Sequence, residues 1–189
     1  MKITETGLPG LKVLEPRRFG DDRGWFSETW NRETLRAQGI EVDFAQDNHS
    51  FSASRGTLRG LHYQAPPHAQ IKLVRCGAGA VWDVAVDARQ GSPTFGRWFG
   101  IELSPANGLQ LLIPAGFLHG FSTLTENAEL LYKCSDVYVP ACDGAVRFDD
   151  PAFGIDWKLD GAAPVLSDKD RAAPAFADWL NPFTWEGGK

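Results

Sequence analysis

The reactive side chains of this sequence are few, and several crowd into one stretch. Residues 59–74 read RGLHYQAPPHAQIKLV, which places Arg59, His62, His68 and Lys72 within fourteen positions. Imidazole titrates near neutrality and serves as proton acceptor, proton donor or metal ligand. A lysine ammonium can hold a developing negative charge, and an arginine can grip an anion with two parallel hydrogen bonds. Yet the stretch also has the Val, Ile, Leu and Tyr content of a buried strand. Burying an unpaired charge costs several kcal/mol. These groups therefore either line the wet edge of a sheet or point into a pocket built for something polar. The other two histidines are His49 and His119, the latter in PAGFLHGF, a turn followed by an aromatic strand.

The elements that must hold these groups read as strands. Candidates run over 11–15, 25–30, 42–50, 57–63, 70–76, 80–87, 97–103, 109–113, 118–124 and 129–136, with Gly/Pro-rich breaks between many of them. Within 80–87, Trp82, Val84 and Val86 fall on one face and Asp83, Ala85 and Asp87 on the other. An acidic residue at mid-strand sits opposite the apolar layer or inside a barrel that holds a polar ligand. Lys72 shares a face with Gln70 and Val74, and His62 with Gly60 and Gln64. Residues 31–39 predict a short helix with Asn31 as N-cap, Thr34 in the first turn and Gly39 at its stop. The expectation is one domain over residues 1–189, mainly β: a jelly-roll barrel or sandwich over about 10–150, with short peripheral helices, including some at about 165–185.

Bulk properties exclude several classes of partner. With 189 residues the chain is long enough to bury a core without staples, and its 23% charged residues are ordinary. A net charge of −5 argues against nucleic acid or an anionic membrane surface, both of which need a broad basic face. A small anionic ligand needs only a few local Arg and Lys groups. Cys76, Cys134 and Cys142 form no C-x-x-C pair and are expected to be reduced thiols. No apolar leader or long apolar run is present, so the expected location is the cytoplasm.

The segment containing His119, P-x-G-x-x-H, resembles the second motif of cupin barrels. A metal-binding cupin also needs an H-x-H pair, but the matching position reads His62-Tyr63-Gln64. Two histidines without a third ligand make a poor metal site, so no metal or other cofactor is expected and the histidines are free for proton transfer. The ordered set QDNHSFS (46–52), TLRGLHYQ (57–64), QIKLVRC (70–76), VWDVAVDARQGSPTFGRW (81–98), LLIPAGFLHGF (111–121) and YKCSDVYVP (132–140) resembles the dTDP-4-dehydrorhamnose 3,5-epimerases. FDDPAFGIDW (148–157) and LSDKD (166–170) resemble the same family's C-terminal signatures, so the likeness spans about residues 7–175.

The resemblance implies a metal-independent epimerase of the cupin type acting on a dTDP-linked 4-keto-6-deoxyhexose. Inversion at C3 and C5, the carbons flanking the ketone, needs a base, a stabiliser for the enolate oxygen and an acid on the opposite face. By resemblance His62 is the base, Asp170 its orienting carboxylate, Lys72 the enolate stabiliser and Tyr132 the proton donor. Arg23, Glu28, Gln46, Asp47, Asn48, Arg59, His119, Tyr138, Asp143 and Lys169 match ligand-contact positions. Tyr138 would stack on the thymine, and Asp83 would orient His119. Asp143 and Phe148 stand where the family more usually has Glu and Trp. The resemblance further implies a homodimer in which residues around 19–28 enter the partner's site. Three other readings stay open: an epimerase acting at one carbon only, a sugar-nucleotide-binding cupin without catalysis, and a metal-dependent cupin enzyme, the last weakened by the missing H-x-H. His68 is assigned no role and is expected to be exposed.

Overall fold

Alternating side chains make each strand two-faced, and the fold answers with two sheets that face each other across a shared interior. The computed structural model describes residues 1–187. Its first strands are β1 (Lys2–Glu5), β2 (Lys12–Glu15), β3 (Arg18–Asp21) and β4 (Gly24–Ser27), followed by helix α1 (Arg32–Arg36). The central run is β5 (Gln46–Ser52), β6 (Leu58–Gln64), β7 (Lys72–Ala78), β8 (Val81–Asp87) and β9 (Trp98–Leu103). It continues through β10 (Gln110–Ile113), β11 (Phe117–Thr123), β12 (Ala128–Cys134) and β13 (Asp143–Ala145) to helix α2 (Asp168–Arg171). One sheet has the order β1-β2-β10-β7-β12-β5, the other β13-β6-β11-β8-β9, and β3 and β4 form a separate hairpin.

Three apolar layers follow from this arrangement. Between the sheets lie Leu11, Val74, Val81, Leu111, Phe117 and Leu130, all buried. The outer face of the five-stranded sheet carries Val84, Val86 and Leu118, covered by Phe153, Trp157, Trp179 and Phe183 of the C-terminal segment. The outer face of the six-stranded sheet carries Leu14, Leu73 and Leu112, covered by Leu35 and Ile40 around α1. Trp82, Val84 and Val86 thus face outward beneath the C-terminal segment, and Asp83, Ala85 and Asp87 point into the interior. The fold is a mainly β, cupin-like jelly roll with few short helices.

Several boundaries differ from the sequence expectation for physical reasons. Helix α1 begins where expected, because the Asn31 side chain accepts the Thr34 amide. The strand expected over 25–30 ends at Ser27, since the Glu28 carboxylate turns to accept hydrogen bonds from Asn31 and Thr34 at the helix start. The strand expected at 42–50 begins only at Gln46, because Val42 and Phe44 pack outward against the layer around α1. Strands β1, β3 and β13 were not anticipated. Each is short and polar, and each exists because a partner strand offers its backbone. His68 is half-buried rather than free, and its Nδ1 lies 2.9 Å from Asp136 Oδ2.

Candidate active site

Antiparallel pairing of β6 with β11 sets His62 directly opposite His119 on the inner face of the five-stranded sheet. The register shifts between His119 and Phe121, where the two strands come very close at Gly60 and Gly120. A Cβ on Gly60 would lie 2.5 Å from the Gly120 Cα, so only glycine fits there. Both histidines are held by carboxylates taken fully out of water. His62 Nε2 donates to Asp170 Oδ1 at 2.6 Å, and His119 Nε2 lies 3.0 Å from Asp83 Oδ2. Asp170 and Asp83 are 2% and 0% exposed.

Asp170 reaches His62 because α2 delivers it. Ser167 caps the helix by accepting the Asp170 amide, and its hydroxyl donates back to Asp170 Oδ2 at 2.6 Å. The Gly60 amide adds a third donor, to Oδ1 at 3.3 Å. Burial alone would raise the Asp170 pKa, but hydrogen bonds from His62 and Ser167 outweigh it and hold the carboxyl below its ordinary value. The carboxylate is therefore charged, and the free nitrogen of His62 is left as a proton acceptor.

The opposite wall comes from the six-stranded sheet. Lys72 on β7 pairs in register with Cys134 on β12, and Tyr132 sits two residues before Cys134 on the same face. Burial lowers the Lys72 pKa, while Cys134, Asp143 and Asp83 pull it back up. Burial, and next the Cys134 thiol, push the Tyr132 phenol above its ordinary range, with the Arg59 charge acting in the other direction. Between the walls lies a cavity of about 250 Å³ whose lining includes Arg59, His62, Lys72, His119, Tyr132 and Asp170. A base, two cations and a phenol thus face one space from two sides. Among the described residues, no three His, Cys, Asp or Glu side chains gather as metal ligands would.

The other expected contact residues divide into three groups. Gln46 and Asn48 share the inner face of β5 with Ser50, beside Tyr132 and Cys134. Asp47 lies on the opposite face and pairs with Lys133 at 3.1 Å, away from this cavity. Tyr138, Asp143 and Lys169 form a chain of contacts, the Asp143 carboxylate accepting from both the Tyr138 hydroxyl and the Lys169 ammonium. Arg23 and Glu28 do not line the cavity of their own chain. Arg23 forks onto Asp21 at the tip of the β3–β4 hairpin, and Glu28 is occupied at the start of α1. Ser167 and Gln64 had no expected role. Ser167 carried a readable signal, since S-x-x-D before a short helix is a capping pattern; Gln64 carried none.

A family model described as dTDP-4-dehydrorhamnose 3,5-epimerase matches residues 5–178. A protein of that name from Pseudomonas aeruginosa is 54% identical over 179 residues, covering 94% of this chain and 97% of its own length. The structure of a dTDP-6-deoxy-D-glucose-3,5-epimerase from Legionella pneumophila in complex with dTDP-4-keto-L-rhamnose superposes with a TM-score of 0.92, at 43% identity over 98% of this chain and 99% of that one. A 3'-monoepimerase from Streptomyces bikiniensis in complex with dTDP-quinovose superposes with a TM-score of 0.85, at 40% identity over 90% of this chain and 86% of that one. The likeness runs through both cavity walls and the helix that supplies Asp170, and on these grounds the chain belongs to the dTDP-4-dehydrorhamnose 3,5-epimerase family.

Proposed function

We propose that the protein inverts C3 and C5 of dTDP-4-dehydro-6-deoxy-D-glucose to give dTDP-4-dehydro-L-rhamnose. The observation that carries this reading is the placement of His62 and Tyr132 on facing walls of one cavity, with Lys72 beside Tyr132's strand. A C–H next to a ketone is acidic enough to remove only if the electron pair can move onto the carbonyl oxygen. His62 takes that proton on its free ring nitrogen, and Asp170 stabilises the resulting imidazolium. The Lys72 ammonium holds the enolate oxygen at C4. Tyr132 then delivers a proton to the same carbon from the other face, and the electron pair returns to re-form the ketone. Each carbon loses one proton to His62 and gains one from Tyr132, the configuration inverts, and exchange with solvent returns the imidazolium and the phenolate to their starting states before the next inversion. His119, fixed by Asp83, and Arg59 bind the sugar and the diphosphate.

The nucleotide end uses Gln46, Asn48, Tyr138, Asp143 and Lys169 at the cavity's rim, with the exposed Tyr138 ring as a stacking surface for thymine. The Asp47 side chain is engaged by Lys133 on the other face of β5. A homodimer completes the site. Phe19, Trp25 and Phe26 on the β3–β4 hairpin are 51%, 58% and 69% exposed, which supports a covering partner, and Arg23 and Glu28 travel with that hairpin. The reaction needs no metal, the chain acts as one catalytic domain, and its place is the cytoplasm, where three unpaired thiols persist.

Incubation with dTDP-4-keto-6-deoxyglucose in deuterated water tests the chemistry. Deuterium at both C3 and C5 is expected. Entry at a single carbon would assign the chain a mono-epimerase reaction, and tight dTDP binding without any exchange would leave only a binding protein. Light scattering on the purified protein tests the dimer, which a monomeric mass at micromolar concentration would overturn.

A further inference from the structure

Tyr138 sits in the loop after β12, a segment without regular pairing that must nevertheless present its ring in one place. The loop's backbone is held from outside. The Tyr138 amide donates to Gln46 Oε1 at 2.8 Å, and the Val139 amide donates to Gln64 Oε1 at 2.8 Å. The Gln64 side-chain amide in turn donates to the Val137 carbonyl at 3.0 Å and to the His68 carbonyl. Gln64 is 5% exposed, and it stands two residues beyond His62 on the same face of β6. One buried side chain thus links the strand that bears the base to both sides of Tyr138. The neighbouring 65–70 loop reinforces the link. His68 pairs with Asp136 at 2.9 Å, and the Gln70 side chain donates to the Asp136 carbonyl at 2.9 Å.

We infer that Gln64 is a positioning residue for nucleotide binding, which fixes the Tyr138 loop against β6 so that the ring meets the base already ordered. The inference rests on the proposed role of Tyr138 as the thymine platform. An unpinned loop must be ordered when ligand arrives, and that ordering weakens binding. The chemistry on the sugar lies deeper in the cavity, on His62, Lys72 and Tyr132, none of which bonds to Gln64. Loss of Gln64 therefore acts on affinity and leaves the bond-making steps alone.

The test compares wild type with Gln64→Leu, which removes all three hydrogen bonds, and Gln64→Glu, which keeps an acceptor for Val139 but loses the donor. Calorimetric titration with dTDP should show binding about tenfold weaker in Gln64→Leu, the equivalent of one net hydrogen bond. The KM for the keto-sugar nucleotide should rise alongside while kcat stays within about threefold. In a Tyr138→Ala background the Gln64 substitution should have little further effect, because the platform it holds is gone. Variants that bind dTDP as wild type does, that lose kcat at constant KM, or whose effects simply add to that of Tyr138→Ala would overturn the inference. A measurement that needs no variant guards against misfolding: the Val139 amide of the wild-type protein should exchange slowly with deuterium, and free exchange there would also overturn it. A wild type that does not bind dTDP at all would bring down the nucleotide reading itself, a result distinct from equal binding by wild type and variant.

Discussion

Replacing Asp170 by Asn removes one charge from a site with three donors and leaves the surrounding shape nearly intact. In the native protein the carboxylate accepts from His62 at 2.6 Å, Ser167 at 2.6 Å and the Gly60 amide at 3.3 Å. Asparagine keeps one oxygen, and its own amide takes the place of the other. With its oxygen on His62, its amide meets the Ser167 oxygen, whose hydroxyl rotates to accept, so the geometry can persist while the negative charge beside His62 is gone. The transition state for proton removal places positive charge on His62, so the hydrogen bond weakened there is one between charged groups, a class that contributes about 1.5–3 kcal/mol. Taking the upper figure, with no carboxylate left to stabilise the imidazolium, the rate falls about a hundredfold or more at about 1.36 kcal/mol per decade. The fold should survive, because Ser167 still caps α2 through the backbone amide of residue 170. The assay is deuterium uptake at C3 and C5, followed by NMR with substrate saturating, beside a dTDP titration to confirm the site. Exchange within about threefold of wild type would refute the argument that the buried carboxylate stabilises the positive charge that develops on His62.

Three other perturbations probe separate parts of the framework. Lys72→Met should abolish exchange yet raise the melting temperature by roughly a few degrees, because burial disfavours the charged ammonium in the folded state; a lower melting temperature would mean that its acidic neighbours more than offset that burial. Gly60→Ala should destabilise by about 3 kcal/mol, since φ is +129° and the added Cβ meets the Gly120 Cα at 2.5 Å and the His119 carbonyl at 2.8 Å; an unchanged denaturation midpoint would show that β6 and β11 separate freely. In acid, Asp170 and Asp87 both have folded pKa values below the 3.8 of the unfolded chain, so their stabilisation is intact above that pH and disappears as pH falls through the folded values. Asp170→Asn should therefore flatten the acid limb of the stability profile, and an unaltered limb would contradict the assignment.

Period-two alternation makes the inward face of β8 readable in the sequence, and the motifs around His62, Lys72, His119 and Tyr132 name most of the cavity. What alternation could not supply was register. His62 and His119 are neighbours only because β6 and β11 pair antiparallel with a shift at Gly120, a fact held in backbone geometry rather than in either segment's pattern. The motif QDN equally hid that Gln46 and Asn48 face the cavity while Asp47 turns to Lys133. His68 read as an idle surface residue because its partner, Asp136, arrives from a distant loop. The short piece β13 lacks any apolar run, and β1 offers only Ile3, so a neighbouring strand more than a buried face makes them strands.

Position along a strand, more than residue type, decides what a buried acid does in this barrel. Asp83 and Asp87 lie on the same face of β8, and both are 0% exposed. Asp87 is saturated by its own surroundings: the Arg89 guanidinium donates to both of its oxygens at 2.8 Å, and Ser92 and Thr94 each add a hydroxyl at 2.6 Å. Burial would raise its pKa, but those donors hold it below the ordinary value, and Arg89 is itself sandwiched between the rings of Phe117 and Trp185. Nothing there is left to react. Asp83, four residues earlier on the same face, has His119 as its partner, and that ring lines the cavity. A fully paired acid closes one end of the barrel, and an acid whose partner faces the cavity equips the other. The prediction that separates them is direct. Asp87→Asn should lower stability and leave kcat and KM nearly unchanged in the surviving folded protein, whereas Asp83→Asn should alter turnover at a similar or smaller stability cost. Equal kinetic damage from both would mean that the two ends of the barrel are not independent.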